Sequence, residues 1–384
     1  MTAYSFQTVP HLVIECGVSA RLGEVLAERW SPRRLCVVTD AFLHRSGLLG
    51  PALQSLVAAG FELLVIDDVQ PDPPDHVVQA ASERARAFGA QLVLGLGGGS
   101  SMDVAKLVAV LVASEQPLAQ MYGIGQVQGE RLPLVQVPTT AGTGSEVTPI
   151  AIVTTGATTK SGIVSRQLYA DMAVLDAALT TGLPPAITAA TGVDAMVHAI
   201  EAFTSRRLKN PLSDQLALQA LRLLSSHLLR ACEHGQDLAA REALLLGALL
   251  AGQAFANAPV AAVHALAYPL GGRFHLPHGL SNALVLAPVL RFNAETSPEA
   301  YVGLAEALLP AVTGDAATKV QAFIRHLEAL VAATGLPLRL RDHGIPADAL
   351  PQLAADAMLQ TRLLVNNPRE VGEADALAIY RSAY

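Results

Sequence analysis

The sequence predicts an α/β N-terminal domain with a mainly parallel sheet, followed by an all-α C-terminal domain. Short apolar runs alternate with helix-like segments in the first half of the chain. Long Ala- and Leu-rich segments with helical periodicity dominate the second half. The character of the sequence changes near Pro184 and Pro185, so we predict two domains, residues 1–184 and 185–384.

The first half contains apolar runs that are typical of buried strands, with helical patterns between them. The predicted strands are Leu35–Asp40, Leu63–Val69, Leu92–Gly95, Leu134–Val137 and Ile150–Val153, with Leu12–Glu15 as an edge strand. The predicted helices are Leu48–Ala59, His76–Phe88 and Met102–Ala113. This alternation is typical of βαβ units, which build parallel sheets.

The second half has almost no strand signals. The predicted helices are Ile187–Thr204, Asp214–Cys232, Leu238–Asn257, Glu299–Leu309 and Ala317–Thr334. Their period favours a domain of packed helices.

The composition excludes several classes of protein. A chain that is 51% hydrophobic and 15% charged is expected to be ordered. A net charge of −7 without a block of Lys and Arg argues against nucleic-acid or anionic-membrane partners. The three cysteines form no CxxC pair, so neither a disulfide framework nor a thiolate metal site is predicted. No signal peptide is evident and apolar runs break well before about 18 residues, so we expect a cytoplasmic protein without a membrane span.

The segment Leu92–Lys106 (LVLGLGGGSSMDVAK) has the pattern of a strand, a glycine run and a helix. Glycines at Gly97, Gly98 and Gly99 would let backbone N–H groups approach a diphosphate without a Cβ in the way. The start of the next helix would add free N–H donors and the positive end of its dipole. The spacing differs from GxGxxG and lacks the GK[ST] of a triphosphate loop, and a simple tight turn is the alternative interpretation.

Two further features are compatible with nucleotide binding. Val137–Pro149 (VPTTAGTGSEVTP) follows a strand and offers small residues and threonine hydroxyls, although a flexible loop would look similar. Asp40 ends the first long strand, where a carboxylate can accept hydrogen bonds from a ribose 2′-hydroxyl and would repel a 2′-phosphate. The alternative role for Asp40 is that of a helix N-cap.

A group of polar residues stands in the apolar helical half. Asp194 and His198 are four residues apart, which puts both on one face of a helix. His264 and His278 follow in HALAYPLGGRFHLPHG, with His275 nearby. An Asp with several His and no Cys favours ferrous iron or zinc. An ion-paired Asp and hydrogen-bonded core histidines are the alternative.

Together these segments resemble the iron-containing (group III) alcohol dehydrogenases. GGGSSMDVAK, PTTAGTGSEVTP, DAMVHAIEAF and HALAYPLGGRFHLPHGLSNA match that family in order and spacing. NNPREV (Asn366–Val371) extends the resemblance nearly to the end of the sequence. The resemblance implies a dinucleotide-binding α/β domain, a helical metal-binding domain, and hydride transfer between a primary or secondary alcohol (or its aldehyde or ketone) and NAD.

The resemblance also assigns site residues by matching motif positions. The four implied metal ligands are Asp194, His198, His264 and His278. The implied cofactor contacts are Asp40, Gly98, Gly99, Ser100, Asp103, Thr139, Thr140, Thr143 and Lys160, and the glycine run adds Gly97 to the predicted set. The implied metal is Fe2+, with zinc second. The expected partner is a small alcohol or aldehyde, and a homodimer or higher homo-oligomer is expected.

One departure from the family concerns proton transfer. Many members carry a histidine four residues after the third ligand, where this chain has Tyr268. A tyrosine hydroxyl can donate a proton, although its ordinary pKa is about 10. His275 is the other residue that we predict for this catalytic role.

Two other functions are compatible with parts of the sequence. A lyase or cyclase of the dehydroquinate synthase type would need several cations near the metal, and only Arg273 and Lys160 lie near the motifs. A non-catalytic nucleotide-binding protein with a structural metal is the second alternative. Net NADH formation from a simple alcohol would distinguish a dehydrogenase from both.

Overall fold

A computed structural model of the protein describes residues 3–31, 34–156 and 159–384. The chain divides into two compact units. One comprises Thr8–Gly182, and the other comprises Leu183–Tyr384 with the N-terminal residues up to Gln7. The first is an α/β unit and the second is helical, so the predicted fold class is confirmed. The domain division at residues 184 and 185 stays a prediction.

The α/β unit contains all of the strands in the described residues. In chain order they are β1 (Leu12–Ile14), β2 (Arg34–Val38), β3 (Glu62–Ile66), β4 (Leu92–Gly97), β5 (Gly123–Ile124), β6 (Leu134–Pro138), β7 (Ile150–Thr155), β8 (Thr159–Val164) and β9 (Met172–Leu175).

Helices occur in both units. Those of the α/β unit are α1 (Leu22–Ala27), α2 (Ala41–Ser46), α3 (Gly50–Ala58), α4 (Asp75–Phe88) and α5 (Gly99–Ala113). Those of the helical unit are α6 (Pro185–Thr204), α7 (Pro211–Glu233), α8 (Leu238–Asn257), α9 (Ala262–Phe274), α10 (His278–Ala294), α11 (Glu299–Leu308), α12 (Ala316–Ala333), α13 (Leu350–Ala357), α14 (Thr361–Leu364) and α15 (Glu373–Ser382).

The main sheet has six parallel strands in the order β1-β9-β6-β4-β2-β3. From β2 the chain first adds β3 on one side and then returns to add β4 and β6 on the other. The strand order therefore reverses between β2 and β4. In open parallel sheets, ligands bind outside the carboxyl ends of the strands at such a reversal. Asp40 follows β2, and the glycine run follows β4.

One predicted strand lies outside the main sheet. Ile150–Val153 lies in β7, which does not join the parallel sheet but pairs antiparallel with β8 in a separate three-stranded sheet. Its alternating buried and half-buried residues suit a sheet with one exposed face. The sequence interpretation also missed β9, whose four residues are all buried between β1 and β6.

In the helical unit, α6 is the central helix. Every residue from Gly192 to Ala202 is buried, and α6 packs against α7, α8 and α10. A helix that is buried on all sides is usually apolar throughout. The polar residues Asp194, His198 and Glu201 on this helix therefore require partners inside the unit.

Among the described helices, α8 is the one whose length and mean hydropathy (1.3) match a membrane span. About two-thirds of its apolar window (67%) is buried inside the protein. The helix packs against α6 and α7 and carries the buried Arg241. These features are typical of the core helix of a globular domain.

Candidate metal centre

The four residues that the sequence predicted as metal ligands lie together in the helical unit. Asp194 and His198 come from α6, His264 from the first turn of α9, and His278 from the first residue of α10. One ligand atom from each lies within 4.8 Å of all the others. Asp194 Oδ1 is 3.5 Å from the Nε2 of His278, 3.8 Å from that of His264 and 4.0 Å from that of His198.

Burial and stacking restrict the three imidazole rings. The His198 ring stacks between Phe255 of α8 and His264, with centroid distances of 4.3 and 4.7 Å. The side chains of Asp194 and His264 are almost completely buried, whereas 38% of the His278 side chain is exposed. The cluster is therefore accessible from the side of His278.

The carboxyl group of Asp194 is held in its ionised form. Burial by itself would raise its pKa. The neighbouring histidines, in whichever fraction is protonated, and a hydrogen bond from Asn282 outweigh burial, so that the pKa of Asp194 lies below its ordinary value. The cluster therefore offers one negative oxygen and three imidazole nitrogens.

Glu201 is a site residue that the sequence interpretation missed. Its carboxylate accepts hydrogen bonds from the backbone N–H groups of Ala261 (2.9 Å) and Val263 (2.6 Å). It lies 2.6 Å from Nδ1 of His264. Because a carboxylate only accepts, Nδ1 carries a hydrogen, so Nε2, which lies nearest Asp194, is the nitrogen of His264 that could bind a metal. Glu201 could have been predicted from the sequence, because it lies seven residues after Asp194 and therefore on the same face of the helix.

Asn282, one turn after His278 on α10, was also missed. Its Nδ2 donates to Asp194 Oδ1 at 2.6 Å and lies 3.3 and 3.4 Å from Nε2 of His264 and His278. Its buried Oδ1 has no hydrogen-bond partner in the described part of the chain. Buried polar atoms normally have hydrogen-bond partners.

The ligand atoms of the cluster are the nitrogens of His198, His264 and His278 and a carboxylate oxygen of Asp194. This set contains no thiolate and fits divalent iron or zinc.

The two residues predicted for proton transfer differ in whether they contact the predicted ligands. The half-buried Tyr268 lies one turn after His264, and its ring centroid is 5.9 Å from that of His278. His275 is exposed at the C-cap of α9, with a φ of 55°. Among the described contacts, a ring contact joins Tyr268 to the ligand cluster, whereas none of them joins His275 to it.

The residues predicted to bind the cofactor lie in the α/β unit, where the glycine run contacts the threonine-containing turn. The N–H of Thr139 donates to Gly97 O at 3.0 Å. A Cβ on Gly99 would lie only 2.8 Å from Thr143, whereas one on Gly98 would meet only Thr140, at 3.8 Å. Gly98 is the N-cap of α5, so the first free N–H groups of that helix follow it.

Asp103 and Lys106 form a buried network beneath the glycine run. Asp103 accepts hydrogen bonds from Ser145 Oγ (2.6 Å) and the N–H of Ile152 (2.9 Å). Lys106 Nζ donates to Ser145 Oγ and lies 3.6 Å from the Asp103 carboxylate. Burial raises the pKa of Asp103 and lowers that of Lys106. Both oxygens of Asp103 are thus occupied in fixing α5 to the segment that contains Ser145 and β7.

Three other predicted residues also have protein partners. Asp40 Oδ1 accepts a hydrogen bond from the N–H of Leu43 (3.0 Å), so the N-cap interpretation is confirmed. Ser100 Oγ accepts one from the N–H of Asp72 (3.3 Å), and Lys160 forms an ion pair with the carboxylate of Asp72. Asp72, which the sequence interpretation missed, therefore connects Ser100 with Lys160.

Comparison with known proteins decides the family. Residues 10–177 match the model for iron-containing alcohol dehydrogenase, and residues 188–384 match that for the C-terminal part of the Fe-containing alcohol dehydrogenase family. The chain belongs to the iron-containing alcohol dehydrogenase family. Members of this family are oxidoreductases, so the predicted enzyme class is confirmed.

Individual relatives match over nearly their whole length. A long-chain-alcohol dehydrogenase from Geobacillus thermodenitrificans is 40% identical over 93% of this chain and 91% of its own. The crystal structure of a 1,3-propanediol oxidoreductase has a TM-score of 0.94 at 34% identity and covers 100% of both chains. That of a sulfoacetaldehyde reductase from Bifidobacterium kashiwanohense in complex with NAD+ has a TM-score of 0.88 at 27% identity, over 100% of this chain and 99% of the other.

Proposed function

We propose that the protein transfers hydride between a primary or secondary alcohol and NAD, with a divalent metal held by Asp194, His198, His264 and His278. The observation that carries this proposal is the convergence of these four donors within 4.8 Å in a member of an iron-containing dehydrogenase family. We propose iron as the metal, with zinc as second choice, because the donor set accommodates both. A bound divalent cation supplies Lewis acidity toward an alcohol or carbonyl oxygen, and NAD supplies the hydride acceptor.

The residues of the helical unit would orient ligands and move a proton. Glu201 fixes the tautomer of His264, which keeps Nε2 available as a donor. We propose that Tyr268 Oη passes the proton of the alcohol toward solvent, because its ring lies beside the partly exposed His278. His275 remains the alternative relay residue.

We propose NAD as the cofactor, bound in the α/β unit. The backbone N–H groups of Gly98, Gly99 and Ser100 would meet the diphosphate at the start of α5. Thr139, Thr140, Thr143 and Lys160 would provide further contacts, and Asp103 would act by fixing α5. Asp40 uses one oxygen as an N-cap, and its second oxygen would accept a hydrogen bond from the ribose. The reversal of strand order between β2 and β4 supports this position.

The substrate is proposed only at the level of a small alcohol or aldehyde. The relatives are named for long-chain alcohols, 1,3-propanediol and sulfoacetaldehyde, which differ in length and charge.

We also propose a cytoplasmic homodimer or higher homo-oligomer, with functional domains at residues 1–184 and 185–384. The free cysteines Cys16, Cys36 and Cys232 are consistent with a reducing compartment.

Wild-type protein treated with a chelator and then reloaded with Fe2+ or Zn2+ tests this function. Reduction of NAD and of NADP is followed by absorbance with a panel of short alcohols, long-chain alcohols, diols and hydroxy acids. We expect activity only after metal is restored, and higher activity with NAD than with NADP. Full activity in protein shown to be metal-free would contradict the proposed role of the cluster.

A further inference from the structure

The NNPREV segment near the C-terminus is not explained by the proposed chemistry. Its first residue, Asn366, is 3% exposed and follows α14. Its Nδ2 donates to Val260 O at 2.9 Å and to Arg362 O at 3.1 Å, which uses both amide hydrogens. Val260 lies in the short link between α8 and α9, immediately before the helix that carries His264. Asn366 therefore contacts a segment that is distant in sequence and adjacent to a predicted metal ligand.

The hydrogen bond to Val260 fixes one side of a peptide group whose other side faces Glu201. The Val260–Ala261 peptide is trans, so its C=O and N–H point in opposite directions. The C=O accepts from Asn366, and the N–H of Ala261 donates to Glu201 Oε2 at 2.9 Å. Rotation of this peptide would break both bonds at once.

The same oxygen of Glu201 also contacts the metal-ligand set. Glu201 Oε2 lies 2.6 Å from Nδ1 of His264, while Oε1 accepts from the N–H of Val263. Ala261 is the N-cap of α9 but has no side chain that could cap it, so Glu201 serves the free N–H groups of this helix end. The position of the link thus determines where the carboxylate and the imidazole meet.

A second contact restrains the same link. Ser205, just after α6, donates its Oγ hydrogen to Pro259 O at 2.8 Å. The N–H of Arg206 donates to Asn366 O at 2.8 Å, which connects this end of α6 to the NNPREV segment. Asn366 and Ser205 therefore hold two consecutive carbonyls of the link.

We propose that Asn366 is a positioning residue for the metal centre, because it orients the Val260–Ala261 peptide and through it Glu201 and His264. This inference rests on the proposed metal role of the cluster. According to this inference, the NNPREV segment acts on the predicted ligand His264 through the link and Glu201, and does not itself bind the metal. Outer partners of this kind typically change metal affinity by about 10- to 100-fold when removed.

The test compares Asn366→Ala with Asn367→Ala. Asn367 is the next residue, has the same side chain and is 1% exposed, but it pairs with Asn293 and Arg369 instead of the link. Apoprotein of each variant is titrated with Co2+ against a competing chelator, and the visible spectrum of bound Co2+ reports its coordination. Thermal unfolding of the apoproteins measures general destabilisation.

We expect Asn366→Ala to weaken Co2+ binding by about 10- to 100-fold and to change the Co2+ spectrum. Asn367→Ala should lower the unfolding temperature similarly but keep wild-type Co2+ affinity and spectrum. If Asn366→Ala does not fold, Ser205→Ala removes the hydroxyl that bonds to Pro259 O of the same link and should weaken Co2+ binding by a smaller factor. Wild-type affinity in Asn366→Ala, or in Ser205→Ala where that variant is used, or equal losses at 366 and 367, would overturn the inference. Failure of the wild-type protein to bind Co2+ would overturn the proposed metal function itself.

Discussion

The glycine run of the α/β unit and the group of Asp194, His198, His264 and His278 in the helical unit (the Asp–His cluster) differ in which atoms are available for a ligand. Around the glycine run, the charged side chains are occupied by the protein: Asp103 binds Ser145 and Ile152, and Lys160 binds Asp72. The groups that remain for a ligand are mainly backbone N–H groups at the start of α5.

In the Asp–His cluster, the atoms available for a ligand belong to side chains and not to the backbone. Glu201 accepts from the N–H groups of Ala261 and Val263 at the start of α9, and the side-chain ligand atoms of four residues lie within 4.8 Å of one another. A backbone site needs small residues that allow close approach, whereas a side-chain site needs second partners that fix each ligand. Substitutions should therefore have different consequences in the two regions.

The largest effect is expected from removal of a ligand side chain. His198→Ala should lose metal and activity together, by more than about a hundredfold, because even an outer partner of a ligand can contribute that much. Metal content and NAD reduction are measured on the same preparation. His227→Ala is the matched control, since His227 bonds to Leu223 O on α7 outside the cluster. Retention of metal and activity in His198→Ala would show that the four donors do not act as a site.

The next largest effect is expected at Tyr268, which lies beside the cluster but is not one of the four predicted ligands. Tyr268→Phe keeps the ring and removes the hydroxyl, so a relay role predicts a fall in turnover of roughly a hundredfold. Metal content and the KM for NAD should not change. Turnover is measured across the pH range, with His275→Ala in parallel. Unaltered turnover in Tyr268→Phe would leave the ring with a packing role and direct attention to His275.

Glu146, a buried residue next to Ser145 in the α/β unit, should affect stability in a pH-dependent manner. Burial raises the pKa of Glu146 from 4.5 to about 7. The folded protein then keeps a proton up to about pH 7 that the unfolded chain releases near pH 4.5, so this group makes the protein less stable as pH rises through that interval. The difference corresponds to ~3 kcal/mol, at about 1.36 kcal/mol for each pKa unit.

Glu146→Gln removes this ionisation. Denaturant unfolding of the apoprotein at several pH values should therefore show that the variant gains stability relative to wild type between about pH 4.5 and 7. Parallel stability profiles for the two proteins would mean that Glu146 titrates normally. Such a result would contradict the burial of this carboxyl group.

The smallest effect is expected from one added methyl group in the glycine run. A Cβ on Gly98 has space in the protein, with its nearest neighbours on Thr140 at 3.8 Å, so Gly98→Ala should leave stability unchanged. It should raise the KM for NAD by about tenfold, the equivalent of one hydrogen bond to a charged group. Gly50→Ala, on α3 with open space around it, is the control. An unchanged KM in Gly98→Ala would place the diphosphate elsewhere.

Much of the fold followed from local sequence pattern. The helix Leu238–Asn257 was predicted with the bounds that the structure has, and predicted strands such as Leu134–Val137 differ from the observed ones by a residue or two. Periodicity reports burial along a single element, which neighbouring residues largely determine. The pairing of β7 with β8 could not be predicted in this manner, because an isolated apolar run does not specify its partner strand.

The four residues predicted as metal ligands could also be named from local pattern. Asp194 and His198 are one helical turn apart, and the family motifs supplied His264 and His278, so their side chains could be named from the sequence. The sequence offered both Tyr268 and His275 for proton transfer and did not distinguish Tyr268, which contacts the cluster, from His275, which caps α9 at the surface. That difference depends on where α9 ends and on the direction of the chain beyond it.

The sequence by itself determined the class of fold, the two kinds of site and the residue types that serve them, because periodicity, glycine spacing and i,i+4 relations are local properties. Only the tertiary structure decided the strand order, the hydrogen bond between Ser145 and Asp103, and the contacts of Glu201 and Asn366. The hydrogen bond from Asn366 to Val260 joins residues 106 positions apart. Such contacts form only when long segments of chain are brought together by burial of their apolar surfaces, and no local pattern specifies which distant partners then meet.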